Sequence, residues 1–289
     1  SGIDSRIFWH MRIPRVLAAF LAGMGLSAGG MTFQAMFRNP LATPFTLGVS
    51  SGAAFGATLA VLAGMTSGPL GMSGASAGSM LGALAAIAFV YGFARMRREF
   101  SSPAMLLAGV AMSFLFSSLI LFLQYISDFT DTFRIVRWLM GGIDAVGYAP
   151  VAGLAVFVVT GVAVVVFLTN ELNLISAGED IAVSRGVSLG PVRTALFIAV
   201  SLAVGGVVSV CGPIGFVGMM SPHIMRLITG ANHRTLAPAT LLFGGTFLVV
   251  CDTVARTLIA PAEIPVGVIT ALLGGPFFLW LLFGKTPRM

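Results

Sequence analysis

The chain has 289 residues, of which 57% are hydrophobic and only 9% are charged, and its mean hydropathy is +1.00. A soluble domain carries about 25% charged residues, so this composition excludes a soluble globular protein and indicates a membrane protein. The net charge of +6 comes from arginines that stand singly or in short clusters between apolar runs, which is a topology signal rather than a nucleic-acid-binding surface.

Uncharged runs long enough to cross a bilayer, which takes about 20 residues, follow one another along the sequence. Glycine-proline pairs at Gly68-Pro69 and Gly212-Pro213 divide the longest runs. The sequence therefore predicts an all-α polytopic membrane protein that forms one transmembrane domain over residues 1–289. Nine helices are predicted, at residues 12–37, 45–65, 74–96, 103–126, 149–169, 191–211, 214–229, 236–259 and 266–284.

The positions of the basic residues predict the orientation, because cytoplasmic loops hold an excess of Lys and Arg. If the connections between helices lie alternately inside and outside, one of the two assignments places ten of the sixteen basic residues inside. The inner set is Arg38, Arg95, Arg97, Arg98, Arg185, Arg193, Arg226, Arg234, Lys285 and Arg288, and the outer set is Arg6, Arg12, Arg15, Arg134, Arg137 and Arg256. The C-terminus is then cytoplasmic and the first helix runs inward. An outer segment of only eleven residues before that helix leads us to expect a further helix that is missing from the sequence.

Small residues recur at helical spacing in three stripes, namely Gly25 with Gly29, Gly52 with Gly56, and Gly74 with Gly78 and Gly82. Such stripes let two membrane helices approach closely. We expect them to serve packing within the chain, and a dimerisation surface is the alternative.

Four polar or glycine-rich blocks interrupt the apolar runs. The first is Arg12-Ile-Pro-Arg15 with residues 30–44 and 47–52, and the others are residues 172–187, 212–226 and 264–277. Together they resemble the permease subunit of the ATP-binding cassette (ABC) importers for iron-siderophore complexes, haem and cobalamin, known as type II ABC importers. The resemblance extends from Arg12 to the end of the chain. It implies a ten-helix fold, of which this chain contains about nine helices and lacks the first.

The resemblance also implies the partners and the activity. A second permease copy, two ATPase subunits and a periplasmic or lipid-anchored substrate-binding protein would assemble with this chain in a bacterial or archaeal plasma membrane. The chain would not be an enzyme and would bind no cofactor itself, since ATP and Mg²⁺ would bind the ATPase. The cargo would be a metal chelate, with a ferric siderophore favoured over haem or cobalamin. The alternative is a secondary, ion-coupled transporter, but such proteins usually carry ionisable residues at mid-span, and here only Asp252 and Arg256 lie within a run, near its end.

The cytoplasmic segment at residues 172–190 is the predicted docking site for the ATPase. Gly178 can begin a short helix, and Glu179 and Asp180 would lie favourably in its first turn against the helix dipole. The resemblance makes this segment the pair of coupling helices, and a merely solvated loop is the alternative. The predicted coupling residues are Leu174, Ala177, Gly178, Glu179, Asp180, Ala182, Arg185 and Gly186.

Two further sites rest on the resemblance. Arg12, Arg15 and Arg256 would pair with carboxylates of the substrate-binding protein, although interfacial anchoring, or an internal ion pair between Asp252 and Arg256 at spacing i,i+4, would use the same side chains. Ser101, Ser102 and Pro103 would narrow a cytoplasmic gate, and helix capping by a serine is the equal alternative. A short helix around Arg134, Arg137 and Trp138 would flank the outer mouth of the pathway.

Overall fold

In the computed structural model, which describes residues 2–68, 72–96, 102–143 and 147–283, helices follow one another with short connections. The all-α polytopic fold predicted from composition is confirmed. The helices are α1 (Gly2–Ile7), a π-helical segment (Phe8–Arg12), α2 (Ile13–Phe37), α3 (Val49–Leu62), α4 (Gly74–Met96), α5 (Ser102–Ile126), α6 (Phe129–Leu139), α7 (Ala149–Phe167), α8 (Thr169–Ala177), α9 (Glu179–Ser184), α10 (Leu189–Cys211), α11 (Val217–Thr229), α12 (His233–Thr257) and α13 (Val266–Phe283).

Six helical stretches within the described ranges are long and apolar enough to cross a membrane. They are Asp4–Phe37, Gly74–Phe93, Ala104–Ile126, Ala149–Phe167, Leu189–Cys211 and His233–Thr257. Two shorter apolar helices, Val49–Leu62 and Val266–Leu281, accompany them. The chain is therefore built as a bundle of bilayer-length helices with shorter helices between them.

The first membrane helix is longer than predicted, because helical structure begins at Gly2 rather than at residue 12. The added turns are polar or exposed and were not visible as part of an apolar run. Pro14 has no amide hydrogen and cannot donate to the carbonyl of His10, four residues earlier. That carbonyl accepts a hydrogen bond from the backbone N–H of Gly147 at 3.0 Å, and the π-helical segment lies at this point of the helix.

Local side-chain hydrogen bonds move two other predicted boundaries. The helix predicted at residues 45–65 is α3, and it begins only at Val49 because the Thr46 hydroxyl donates to the Thr43 carbonyl at 2.8 Å and holds a turn there. The helix predicted at residues 236–259 begins at His233, where the side chain of Asn232 accepts from the N–H of Arg234 at 3.0 Å.

The predicted coupling segment at residues 172–190 is not one element. It contains most of α8, all of α9 and the first two residues of α10. The remaining predicted boundaries differ from the observed ones by no more than three residues. Gly212, with a φ of +66°, ends α10 and separates it from α11, as the Gly212-Pro213 pair indicated.

Helix α2 lies at the centre of the bundle, in contact with α7, α10, α11 and α12. Its neighbours approach at glycines: the backbone at Gly23 meets that of Gly244 in α12, and the backbone at Gly30 meets that of Gly218 in α11. A side chain on Gly23 or Gly30 would collide with backbone atoms that cannot move independently of their helix. Small residues therefore fix how closely α2 packs with its neighbours.

The glycine stripes make their close contacts within the chain, as expected. Gly52 and Gly56 of α3 face Gly78 and Gly82 of α4, so that each backbone fits against the other. Gly25 and Gly29 of α2 contact valines of α7 and α10 instead. The structure thus accounts for these stripes without a second copy of the chain.

We predict that replacing Gly78 by Leu destabilises the protein, whereas replacing Gly92 in the same helix does not. A Cβ at position 78 would lie 2.6 Å from the Cβ of Ala60 and would also collide with the carbonyl of Gly56, but a Cβ at position 92 meets nothing within 4 Å. Overpacking of this kind costs about 1–3 kcal/mol. Thermal unfolding in detergent should show a lower Tm for Gly78→Leu only. An equal loss in Gly92→Leu would contradict the assigned α3–α4 contact.

Candidate functional site

Charged side chains gather at the two ends of α2 and α12. Arg15 at the start of α2 lies beside Asp252 near the end of α12, and we call this the Asp252 end. Arg38, just after α2, lies beside Glu179 of α9, and we call this the Glu179 end. The ends match the two sets of basic residues that the charge pattern assigned to opposite sides of the membrane.

The carboxylate of Asp252 is 2% exposed and is shared by two arginines. The guanidinium of Arg15 donates from Nε at 3.1 and 3.2 Å and from Nη2 at 3.0 Å, so it binds Asp252 with two nitrogens. Arg256 lies one turn along α12, with its Nε 3.2 Å from Asp252 Oδ2. A buried carboxylate needs such partners, because an unpaired charge in this position would be strongly unfavourable.

The three arginines predicted to dock a binding protein thus differ in what they contact. Arg12 is exposed, whereas Arg15 and Arg256 are partly buried and joined to Asp252. Arg15 also donates to Glu263 at 2.9 Å. The sequence indicated the pair of Asp252 and Arg256, but it gave no signal for the pair of Arg15 and Asp252, which are 237 residues apart.

A cavity of about 650 Å³ lies next to Arg15. Its walls include one face of α6, the end of α10 and the residues that lead into α13. The resemblance predicted a short helix here, and α6 begins where the Asp128 side chain accepts from the N–H of Asp131 at 2.8 Å. Arg134 and Arg137 of α6 line the cavity together with Trp138.

At the Glu179 end, the carboxylate of Glu179 joins α9 to the membrane helices. Its Oε1 accepts from Nη2 of Arg193 in α10 at 2.7 Å and lies 3.8 Å from Nη2 of Arg38. Arg193 is 5% exposed, so its charge depends on this partner. The hydrogen bond from Arg193 lowers the pKa of Glu179 below its ordinary value, against the opposing effect of burial, and Arg38 adds to the lowering.

Polar side chains also attach α8 to the first turn of α12. Asn173 accepts from the backbone N–H of His233 at 2.8 Å and donates to the Asn232 side chain at 2.9 Å. Arg234 donates from Nε to Asn170 at 2.6 Å. These contacts were not predicted, because Asn170 and Asn173 carry no distinctive motif and lie about 60 residues from their partners.

The predicted coupling residues divide into an inward and an outward set. Ala182 is buried and Glu179 faces Arg193, while Leu174 and Gly178 are half-buried. Gly178 has a φ of +151°, which favours glycine, and it both ends α8 and precedes α9. The helix start predicted at Gly178 is confirmed. The exposed set is Ala177, Asp180, Arg185 and Gly186.

Two apolar side chains that were not singled out from the sequence join this exposed set. Ile181 and Val183 of α9 are 47% and 58% exposed. They lie on a short helix whose other residues are mostly polar and which is outside the apolar spans. Ile181 and Val183 therefore form a small uncovered apolar patch next to the exposed polar residues of this segment.

The predicted gate residues lie at the edge of the described structure. Ser101 is outside the described residues, and Ser102 and Pro103 begin α5 with their side chains outside the described part. Their role as a gate stays a prediction.

The bundle of bilayer-length helices, with one charged cluster at each end and a cavity beside one of them, defines a polytopic membrane protein. Comparison with known proteins supports this class and gives the family. Residues 1–284 match the FecCD transport family. The chain therefore belongs to the FecCD transport family and is an ABC importer permease.

Relatives in this family carry different cargo names. The chain is 39% identical to the vitamin B12 import system permease protein BtuC of Salmonella typhi, over 95% of this chain and 82% of the relative. It is 36% identical to the molybdate import system permease protein MolB of Haemophilus influenzae, over 97% and 82%. A solved inward-facing transporter of the metal-chelate ABC type is 35% identical, with a TM-score of 0.89 over 98% of this chain and 89% of that chain.

We predict that Glu179→Ala loosens α8 and α9, whereas Asp180→Ala does not. Removing the Glu179 carboxylate leaves the buried guanidinium of Arg193 without its partner, but Asp180 is exposed. Amide hydrogen exchange in residues 169–186 should become about tenfold faster in the first variant only, which corresponds to roughly 1.4 kcal/mol. Because the pKa of Glu179 is lowered, its stabilising contribution is complete above the ordinary pKa and is lost as pH falls through the lowered value. Equal exchange in both variants would contradict the role of Glu179.

Proposed function

We propose that this chain is the membrane-spanning subunit of an ATP-driven importer that receives a metal chelate from a substrate-binding protein and releases it into the cytoplasm. The observation that carries the proposal is the short helix α9, which exposes Ile181 and Val183 while Glu179 ties it to Arg193 of α10. A partner that moves α9 would therefore act directly on membrane helices.

The proposed partner at α9 is the ATPase subunit. The surface offers two apolar side chains together with Asp180 and Arg185, which suits a groove with an apolar floor and polar edges. ATP and Mg²⁺ would bind the ATPase, and this chain would contribute no cofactor site. With the Glu179 end cytoplasmic, the C-terminus is cytoplasmic and the Asp252 end faces the binding protein.

A second copy of the chain is proposed to complete the pathway. Helix α5 is the least buried of the long apolar helices that the structure describes. Only 11% of its most apolar 18-residue stretch is buried within one chain. The end of α13 is also uncovered at Trp280 and Phe283. A homodimer would cover part of these surfaces, and lipid would cover the rest.

The proposed cargo is a metal chelate, with a ferric siderophore favoured over haem and cobalamin. The vitamin B12 named for BtuC and the metal-chelate class named for the solved neighbour support a bulky chelate. The molybdate named for MolB shows that cargo differs among relatives of similar identity. Binding measurements on the partner substrate-binding protein distinguish these cargoes.

The competing class, a secondary transporter, is disfavoured by the environment of Asp252. Of the acidic side chains that the structure describes, Asp252 alone is buried. Its carboxylate is occupied by Arg15 and Arg256, so it is poorly placed to release and rebind a coupling ion.

The test of the proposed function is reconstitution of the chain in liposomes with its ATPase and binding-protein partners. We expect chelate uptake only when the ATPase and ATP are present. Replacing Ile181 and Val183 by Glu should lower ATPase co-purification and uptake together, whereas Val159→Glu, a control at an exposed position of α7, should not change the fraction of folded protein that retains the ATPase. Uptake driven by an ion gradient without the ATPase would refute the proposal.

Docking of the binding protein is proposed to use Arg12, with Arg15 and Arg256 beside it. Arg12→Glu should weaken binding-protein affinity about three- to tenfold at low salt, because rim charges act mainly on orientation and association rate. Arg6→Glu gives the same charge change in the same exposed segment and should have a smaller effect. Unchanged affinity in Arg12→Glu at low salt would contradict the docking role.

A further inference from the structure

The cavity at the Asp252 end has a basic wall and an apolar wall. Its volume of about 650 Å³ falls within the range of about 300–1,000 Å³ that is usual for ligand pockets. Three arginines, Arg15, Arg134 and Arg137, line it against one acidic residue, Glu263. The apolar lining includes Phe133 and Trp138. This combination fits a ligand that carries both negative charge and apolar surface.

The charges of the cavity are not equally available to a ligand. Arg15 is already bound by Asp252 and Glu263, and Arg256 also pairs with Asp252, so the two arginines and two carboxylates largely satisfy one another. Arg134 is 65% exposed and makes one ion pair, with Asp131 at 3.2 Å. Arg137 is exposed and has no carboxylate within 4 Å among the residues that the structure describes. Among the described residues, α6 therefore presents positive charge that carboxylates neutralise only in part.

Arg134 and Arg137 are positioned to act together. They are three residues apart on α6, and side chains at this spacing lie on the same face of a helix. Asp128 caps the start of α6, which fixes the helix that presents them. A planar guanidinium can hold a carboxylate through two parallel, charge-assisted hydrogen bonds. A neutral ligand without a carboxylate cannot form this pair of bonds.

We propose that this cavity is a transient binding site for an anionic metal chelate, held by Arg134 and Arg137 and packed against Phe133 and Trp138. The inference rests on the proposed function and specifies its substrate class: a chelate with free carboxylates or an excess negative charge, in preference to a neutral or cationic one. The chelate would occupy the cavity after it leaves the binding protein. Glu263, which also lines the cavity, is paired with Arg15, and this reduces its repulsion of an anion.

Trp138 provides a local signal for the test. The other tryptophans, Trp9 and Trp280, lie outside the cavity lining, and both are replaced by Phe, which keeps an aromatic ring at each position. In the assembled transporter without binding protein, in nanodiscs with tryptophan-free partners, quenching of Trp138 fluorescence measures binding. The probes are the dianionic complex of iron(III) with diethylenetriaminepentaacetate and a neutral iron(III) trihydroxamate.

We expect the dianionic probe to quench Trp138 with an affinity at least about tenfold higher than the neutral probe, and this difference should shrink with added salt. The double variant Arg134→Gln, Arg137→Gln should lose about tenfold in affinity for the dianion. The double variant with Lys at both positions keeps the charge but loses the paired hydrogen bonds, so it should lose less affinity than the Gln double variant. Arg6→Gln, the matched control outside the cavity, should retain the full affinity.

Equal affinities for the two probes, or an unchanged affinity in the Gln double variant, would overturn the proposal. A Gln double variant that binds the dianion normally but loses affinity for the binding protein would overturn it in favour of a docking surface. The proposed function is tested separately: if it is wrong, the unsubstituted transporter shows no ATP-driven uptake. The ATPase activity of each variant, measured in detergent, verifies that the transporter is assembled.

Discussion

Close backbone contact between α2 and α12 is the constraint on which the rest of the structure depends. Gly23 meets Gly244 and Gly245, and the Ser27 side chain fits against Gly244. Within a bilayer, burial of apolar surface gives little preference for one helix neighbour over another, so close packing at small residues has to provide it. Once α2 and α12 are joined in this way, the positions of α7, α10 and α11 around α2 follow from the remaining faces of α2.

The same pair of helices places the two polar clusters. Because α2 and α12 run in opposite directions, the start of α2 carries Arg15 to Asp252, and its end carries Arg38 to the side where α12 begins. The Asp252 side chain is only 2% exposed, and Arg15 and Arg256 both bind its carboxylate. The contact between α2 and α12 thus brings the Asp252 cluster together, and the ion pairs of this cluster in turn fix the register of the two helices.

The sequence predicted what depends on local pattern and missed what depends on contacts between distant segments. Apolar run lengths predicted the bundle, Gly178 predicted the start of α9, and the Gly212-Pro213 pair predicted the end of α10. The boundary at residue 12 was wrong, since the helix continues through an exposed segment in which Asp4, Arg6 and Arg12 interrupt the apolar residues. The commitment of Arg15 to Asp252 and the attachment of Asn173 to His233 could not be predicted, because neither pair shares a motif or a spacing.

Helix α12 connects the surface proposed for the ATPase with the surface proposed for the binding protein. Its first turn is held by Asn173 of α8, and Asp252 lies near its last turn, so one continuous helix of 25 residues, about 37 Å long, joins the two. The glycine contacts between α2 and α12 interlock their backbones, which opposes sliding of one helix along the other. A displacement of α8 would therefore move α2 and α12 together, without rearrangement of the side chains between them. The Asp252 cluster would move with these helices, and the cavity next to Arg15 would change shape.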